Sequence, residues 1–136
     1  MGRSRSKILR LLILDWLAVL AFVGVILFIG SSKAIPLSYV DIPLHLLLLR
    51  KAIHVGEYAI LGFLLYRALT RRERTFSLRY ALFVLLLGLA FASIDEWRQM
   101  SLPMRSGVIA DVGIDAIGVG VGLVFAKLSA RTRLNS

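Results

Sequence analysis

The stretch YALFVLLLGLAF, residues 80–91, decides the fold of this chain. It carries no charge and no alternation of apolar and polar residues, so it predicts a membrane helix rather than a barrel strand. ASIDEWRQM, residues 92–100, follows at once and places Asp95 and Glu96 side by side at the end of that helix. A charge at membrane depth costs about 2.5–3.5 kcal/mol on the insertion scale, so this pair requires a specific environment.

Three further apolar runs flank this one. The chain is 58% hydrophobic with a mean hydropathy of +0.80, which excludes an ordinary soluble domain. Each run approaches the roughly 20 residues that a bilayer crossing needs. We therefore expect one all-α membrane domain, residues 1–136, folded as a four-helix bundle. The predicted helices cover residues 11–29, 51–69, 79–97 and 108–127. Pro36 and Pro43 interrupt residues 36–50, which predicts a short interfacial segment between the first two helices.

The basic residues predict how the helices are oriented. A net charge of +9 is typical of proteins that bind nucleic acid, but here the Lys and Arg residues lie in short clusters between apolar runs. This is the pattern of the positive-inside rule, so we expect no nucleic acid. The amino-terminal tail, the loop after the second helix and the carboxyl-terminal tail are the most basic. Both termini are therefore predicted to be cytoplasmic. With four crossings, the start of the second helix, the end of the third and the start of the fourth then face outward.

The basic tail before the first run also fits the start of a signal peptide. The apolar run is too long for that reading, however, and IGSSKAIPLS, residues 29–38, offers a poor cleavage site. We expect an uncleaved anchor.

Ionisable side chains concentrate at the predicted outer ends of three helices. Five of the eight Asp and Glu residues fall there, together with His54. At 100° per residue, Asp111 and Asp115 share a helix face with Gly118 and Gly122. Small residues allow close helix packing, so this face is expected to be a buried seam that ends in a polar pocket. The glycines alone indicate packing, and an Asp early in a helix can simply be a cap.

Two other charges lie at the opposite end. Asp15 is expected near the inner headgroups in a structural role, and the positive-inside rule alone accounts for Arg67.

Two longer stretches resemble a known family. KAIHVGEYAILGFLLYRAL, residues 51–69, and SIDEWRQMSLPMRSGVIADVGIDAIGVGVG, residues 93–122, are similar to the VanZ-like family of small bacterial membrane proteins. The resemblance implies a place in the bacterial cytoplasmic membrane and in the cell envelope, because the family's namesake is linked to resistance to the glycopeptide teicoplanin. It implies no biochemical activity, so the chemistry must come from the residues. The family most often has Asn where this chain has Asp115. The matching positions are Lys51, His54, Glu57, Tyr58, Leu61, Gly62, Asp95, Glu96, Gln99, Pro103, Arg105, Asp111, Gly118 and Gly122, with Ser31 and Ser32 after the first helix.

These residues suit an enzyme that hydrolyses a lipid phosphate. A histidine can transfer protons near neutral pH, and arginine binds phosphate through two hydrogen bonds. Carboxylate oxygens also suit Mg²⁺ or Ca²⁺, so Asp95, Glu96 and Asp111 are the expected ligands if a metal is used. The predicted catalytic residues are His54, Glu57, Asp95, Glu96 and Asp111. The predicted substrate-binding residues are Lys51, Tyr58, Gln99, Arg105 and Asp115.

Two other interpretations of the cluster remain open. It can bind a lipid headgroup, a cell-wall precursor or a glycopeptide without catalysis, or it can be a salt-bridge network that fixes helix register. A channel is disfavoured, since polar groups at one end of four helices offer no path through the membrane.

Overall fold

The protein is a bundle of four long α-helices. The computed structural model describes residues 2–31, 43–70, 75–100 and 109–132, and no strand occurs in these ranges. The helices are α1 (Gly2–Ser31), α2 (Leu44–Thr70), α3 (Leu78–Met100) and α4 (Ile109–Thr132). Each contains a segment long and apolar enough to cross a membrane, the shortest of 20 residues. The predicted all-α architecture of four membrane helices is confirmed.

The start of α2 differs from the prediction. The backbone N–H groups of Leu46 and Leu47 donate hydrogen bonds to the carbonyl oxygen of Pro43, over 2.9 and 3.2 Å. Proline lacks an N–H, and the first turn of a helix does not need that donor, so Pro43 begins the helix instead of breaking it. Residues 44–50 therefore continue the membrane helix rather than forming a separate interfacial segment. Residues 36–42 lie outside the described residues.

Helix α2 is the centre of the bundle. It contacts the other three helices, and its contact with α4 is the most extensive. Val55 faces Gly118 and Ala59 faces Gly122, so residue numbers rise together along the two helices and they run parallel. Helix α1 packs on α2 and touches α3 only slightly.

The contact between α2 and α4 depends on glycine. A Cβ atom on Gly118 would lie 2.6 Å from the carbonyl oxygen of Val55, and one on Gly62 would lie 2.8 Å from that of Val119. Real Cβ atoms do not approach backbone oxygens so closely, so any larger residue would push the helices apart. The seam predicted from the spacing of Gly118 and Gly122 is confirmed.

Apolar residues cover the outside of the bundle, and polar groups lie inside it. Phe28 is 75% exposed and Leu86 66% exposed, as expected of side chains that meet lipid. The fully buried large side chains are Tyr58, Leu61, Leu65, Val84 and Val119. The buried polar residues are Asp15, Thr70, Asp95, Glu96 and Asp115.

Contacts around Tyr66 join α2 to the start of α3. The Tyr66 hydroxyl oxygen accepts a hydrogen bond of 2.7 Å from the backbone N–H of Ser77. The Tyr66 ring stacks on Phe76 with centroids 4.9 Å apart, and Lys127 of α4 lies over the Phe76 ring at 5.8 Å. Three elements therefore meet at this end of the bundle, which we call the Arg67 end. The opposite end, which holds His54, Asp95 and the first turns of α4, is called the His54 end.

Candidate functional site

The centre of the site is a contact between a histidine and an aspartate. Nδ1 of His54 on α2 lies 3.3 Å from Oδ1 of Asp115 on α4, which is hydrogen-bonding distance. The Asp115 side chain is 4% exposed and that of His54 is 19% exposed. Helices α2 and α4 run parallel and are in close contact at Gly118. Asp115 lies one turn before Gly118 on α4, so this close contact brings its side chain to that of His54.

A second pair lies one turn nearer the start of both helices. Nζ of Lys51 is 3.9 Å from Oδ1 of Asp111. Both side chains are partly exposed, so solvent weakens this attraction compared with the buried pair below it. Asp111 also stands in the first turn of α4, where a negative charge favours the helix dipole.

Helix α3 supplies the adjacent carboxylates. Asp95 is 4% exposed and Glu96 is 7% exposed, so both face protein, whereas Trp97 between them and Arg98 is 71% exposed. Nη2 of Arg98 donates a hydrogen bond of 2.7 Å to Oδ1 of Asp95. This ion pair compensates part of the cost of burying Asp95.

Tyr58 is buried where the helices that carry the carboxylates meet. It is 1% exposed, it lines a crevice together with Asp95 of α3, and it lies against Gly118 of α4, one turn from Asp115. Glu57 precedes it on α2. The structure thus brings residues from three separate stretches of sequence to one place.

Eight of the ten predicted site residues lie in this cluster, and two cannot be placed. The side chain of Gln99 and all of Arg105 lie outside the described residues. The members that the structure places together are Lys51, His54, Glu57, Tyr58, Asp95, Glu96, Asp111 and Asp115.

The carboxylates are not arranged as a metal site. Within the described ranges, no group of three or more His, Asp or Glu side chains converges as metal ligands would. Asp95 and Asp111 contact Arg98 and Lys51 instead. The predicted set of Asp95, Glu96 and Asp111 therefore does not form a ready metal centre.

Sequence reasoning missed the role of Arg98. Its guanidinium is the basic partner of Asp95, three residues earlier in α3. Residues three apart are neighbours on a helix surface, so this spacing was the available signal.

It also missed an ion pair at the Arg67 end. Nε and Nη2 of Arg67 both donate to Oδ1 of Asp15, over 3.1 and 2.7 Å. The Asp15 side chain is 2% exposed, so the carboxylate is buried between α1 and α2. Arg67 therefore does more than satisfy the positive-inside rule, because it ties α1 to the centre of the bundle. The signal was that Asp15 lies near the start of the first predicted helix and Arg67 near the end of the second, which the predicted topology places on the same side of the membrane.

The four helices define a multi-pass membrane protein, and acidic and basic side chains cluster at one end of its bundle. A comparison with family models gives a match to VanZ/LLP1 over residues 4–130. The chain belongs to this family, since the match leaves out only its first three and last six residues. The resemblance seen in the motifs is therefore confirmed. No curated protein and no solved structure matches the chain significantly.

Proposed function

We propose that the protein hydrolyses a phosphate-bearing lipid of the cell envelope at its His54 end. The observation that carries this proposal is the contact of 3.3 Å between His54 and the buried Asp115. A histidine oriented by a carboxylate is a common arrangement for nucleophilic or general acid–base catalysis.

The contact assigns separate roles to the two imidazole nitrogens. Nδ1 faces Asp115, so Nε2 is the atom that can exchange a proton with water or with the ester oxygen of the substrate. Water attacks phosphorus, the bond between phosphorus and the ester oxygen breaks, and His54 transfers the proton from the water to the departing alcohol. The products are the lipid alcohol and phosphate. Asp115 is a positioning residue in this scheme.

The cations of the cluster would hold the phosphate. Lys51 and Arg98 both face carboxylates at present, Asp111 and Asp95. A phosphate is a stronger acceptor for arginine because it offers several oxygens in a geometry that the guanidinium matches. Binding would then exchange one anion for another at each cation.

The test is phosphate release by the purified protein from a panel of lipid phosphates, with and without Mg²⁺. His54→Gln should lower release by about 10²-fold or more, the range for loss of a general acid or base, and Arg98→Gln should lower it through weaker phosphate binding. His45→Gln is the matched control, because His45 is an exposed histidine on the same helix. Equal release by all four proteins would refute the proposal.

A second candidate function is headgroup binding without turnover. The ion pairs of Lys51 and Arg98 favour it, since they can open for an anionic headgroup and close again without any bond being broken. The ligand would be a lipid headgroup, a cell-wall precursor or a glycopeptide. Absence of phosphate release, with binding that is weakened by Arg98→Gln, would select this function.

We also propose that the His54 end faces away from the cytoplasm. The opposite end carries Arg67, Arg79 and Lys127, and basic residues are retained on the cytoplasmic side. The chain has no cysteine, so single cysteines can report the side. A membrane-impermeant maleimide added to intact spheroplasts should label His45→Cys and leave Ser6→Cys unlabelled. The reverse pattern would overturn the orientation.

A further inference from the structure

A narrow crevice lies between α1 and α3, with α2 as its floor. It exists because α1 and α3 both pack on α2 but touch each other only slightly. Its free volume is about 10 Å³, which is the room that one water molecule needs. Two polar residues line it, Tyr58 of α2 and Asp95 of α3. The apolar residues that line it are Val23, Ile26, Leu27, Leu61 and Phe91.

The hydroxyl of Tyr58 is a buried polar group that needs a hydrogen-bond partner. Tyr58 is 1% exposed, so its side chain is cut off from bulk water. Within the part of the chain that the structure describes, no protein group forms a hydrogen bond with its hydroxyl. Tyr66, which is similarly buried, bonds to the backbone N–H of Ser77. A buried hydroxyl that bonds to nothing destabilises the folded state, so an ordered water molecule commonly serves as its partner.

Asp95 presents a carboxylate to the same crevice. It is 4% exposed, and its Oδ1 accepts a hydrogen bond of 2.7 Å from Nη2 of Arg98. A carboxylate accepts several hydrogen bonds, so Asp95 can also accept one from a water molecule. A water molecule in the crevice would meet this acceptor and the Tyr58 hydroxyl, which can donate to it. Two polar partners are the minimum that a buried water molecule needs.

We propose that the crevice binds one water molecule between the Tyr58 hydroxyl and the Asp95 carboxylate, and that Tyr58 positions Asp95 through this water. The positioning role rests on the proposed function, in which Arg98 turns from Asp95 to the phosphate of the lipid. Asp95 is then a buried anion that has lost its arginine, and burying such an anion is costly unless hydrogen bonds compensate. The Tyr58 O–H donates to the water, and the water donates to Asp95. Tyr58 is therefore a positioning residue for phosphate binding.

Solid-state NMR detects this water directly. The protein, with carbon-13 at Cζ of its tyrosines, is reconstituted in deuterated phosphatidylglycerol, and magnetisation is transferred from water protons to carbon. Tyr58, assigned as the signal that Tyr58→Phe removes, should receive this magnetisation although it is buried. Val23→Ile adds one methyl group to the wall of the crevice and should abolish most of the transfer. Val25→Ile is the matched control, because Val25 lies on the same helix and is 46% exposed.

Two NMR results would refute the water site. One is the absence of transfer to Tyr58 in the wild-type protein, which needs no variant to fold. The other is transfer to Tyr58 that a folded Val23→Ile variant leaves unchanged.

Thermal unfolding in detergent gives a second reading of the same variant. If a water molecule bonds to Tyr58, Val23→Ile expels it and leaves the hydroxyl without a partner, so the unfolding temperature should fall. If the crevice were a dry void, the added methyl group would fill it and the temperature should rise, which would refute the proposal. In the Tyr58→Phe background the hydroxyl is gone, so Val23→Ile should no longer destabilise the protein. A fall of the same size in both backgrounds would indicate crowding alone and would also refute the proposal.

The positioning role of Tyr58 is tested by binding of phosphatidic acid. Tyr58→Phe should weaken binding about tenfold, the loss of one hydrogen bond to a charged group, and should change kcat for phosphate release little. In the Arg98→Gln background Tyr58→Phe should have no further effect, because the arginine that leaves Asp95 is absent. Tyr66→Phe is the matched control, since it removes a hydroxyl at the opposite end of the same helix. Equal weakening by Tyr58→Phe with and without Arg98 would refute the positioning role.

Two comparisons separate this inference from the proposed function. A water signal at Tyr58 with no phosphate release from any lipid would support the water site and contradict hydrolysis. Phosphate release without a water signal at Tyr58 would leave hydrolysis standing and refute the water site.

Discussion

Nδ1 of His54 lies 3.3 Å from Oδ1 of Asp115, and this contact joins the two helices that pack most closely in the bundle. It stands one turn from Gly118, whose close approach to Val55 sets the distance between α2 and α4. The polar contact and the glycine contact therefore depend on each other. A change that separates the helices will also separate His54 from Asp115.

The His54 contact predicts a graded effect at Asp115. Asp115→Ala removes the hydrogen-bond partner of a largely buried imidazole, so the free energy of unfolding should fall by about 1–3 kcal/mol. Asp115→Asn keeps an oxygen at the same place and should cost less. Thermal unfolding in detergent measures both. Asp111→Ala is the control, because its partly exposed ion pair with Lys51 is expected to contribute only about 0–1 kcal/mol. Equal losses for Asp115→Ala and Asp111→Ala would contradict the prediction.

The seam predicts opposite outcomes for two glycines on α4. A Cβ atom at Gly122 would collide with the carbonyl oxygen of Ala59 and the backbone nitrogen of Phe63. Gly122→Ala should therefore force α2 and α4 apart and lower the free energy of unfolding by about 1–3 kcal/mol, the range for overpacking.

Gly120 provides the matched comparison, because nothing lies within 4 Å of a Cβ atom at this position. Gly120→Ala should be neutral or slightly stabilising, since alanine favours a helix over glycine by about 0.5–1 kcal/mol. Unfolding of both variants in a mild detergent distinguishes the two effects. A loss of the same size at both glycines would show that the contact with α2 is not the cause.

The ion pair at the Arg67 end predicts that α1 loosens when its anchor is removed. Arg67→Ala takes two hydrogen bonds from a buried carboxylate and should cost about 1.5–3 kcal/mol, as hydrogen bonds to charged groups do. The double variant Asp15→Leu with Arg67→Leu should recover most of the loss, because replacing both partners of a buried pair by apolar residues is often neutral. Thermal unfolding of the single and double variants completes the cycle. If the double variant is no more stable than Arg67→Ala, Asp15 and Arg67 do not act as a pair.

The hydroxyl of Tyr66 predicts a smaller effect at the same end. Tyr66→Phe keeps the ring stacked on Phe76 and removes the acceptor of the Ser77 N–H group. Stability should fall by about 0.5–1.5 kcal/mol, the usual contribution of a neutral hydrogen bond. Hydrogen exchange in the first turn of α3 should increase at the same time. Unchanged exchange there would show that this bond does not hold the start of the helix.

The limits of α2 show how far hydropathy alone can predict an element. Hydropathy predicted a second helix that starts at residue 51, but α2 begins at Leu44. The charged and polar residues from Arg50 to Glu57 lower the apparent hydropathy of its first half. They are accommodated because Lys51 and His54 pair with side chains on α4. The hydropathy of α2 alone cannot reveal partners on another helix.

The sequence did not predict which charged residues pair with each other. Asp15 and Arg67 stand at similar depths in their helices, but depth leaves open which faces meet. Asp95 has Arg98 as its partner by simple helix spacing, whereas His54 meets Asp115 only because α4 runs parallel to α2. The direction and rotation of a neighbouring helix are tertiary properties.

By itself the sequence determined that the chain forms four membrane helices and that its carboxylates collect at one end. Hydrocarbon solvates neither charges nor free backbone groups, so long apolar runs have no other stable form there. The tertiary structure alone decided that His54 pairs with Asp115, that Arg67 pairs with Asp15, and that a crevice opens between α1 and α3. These outcomes depend on helix rotation, which for α2 and α4 is fixed by the close contacts at Gly62, Gly118 and Gly122 over distances of a few ångströms.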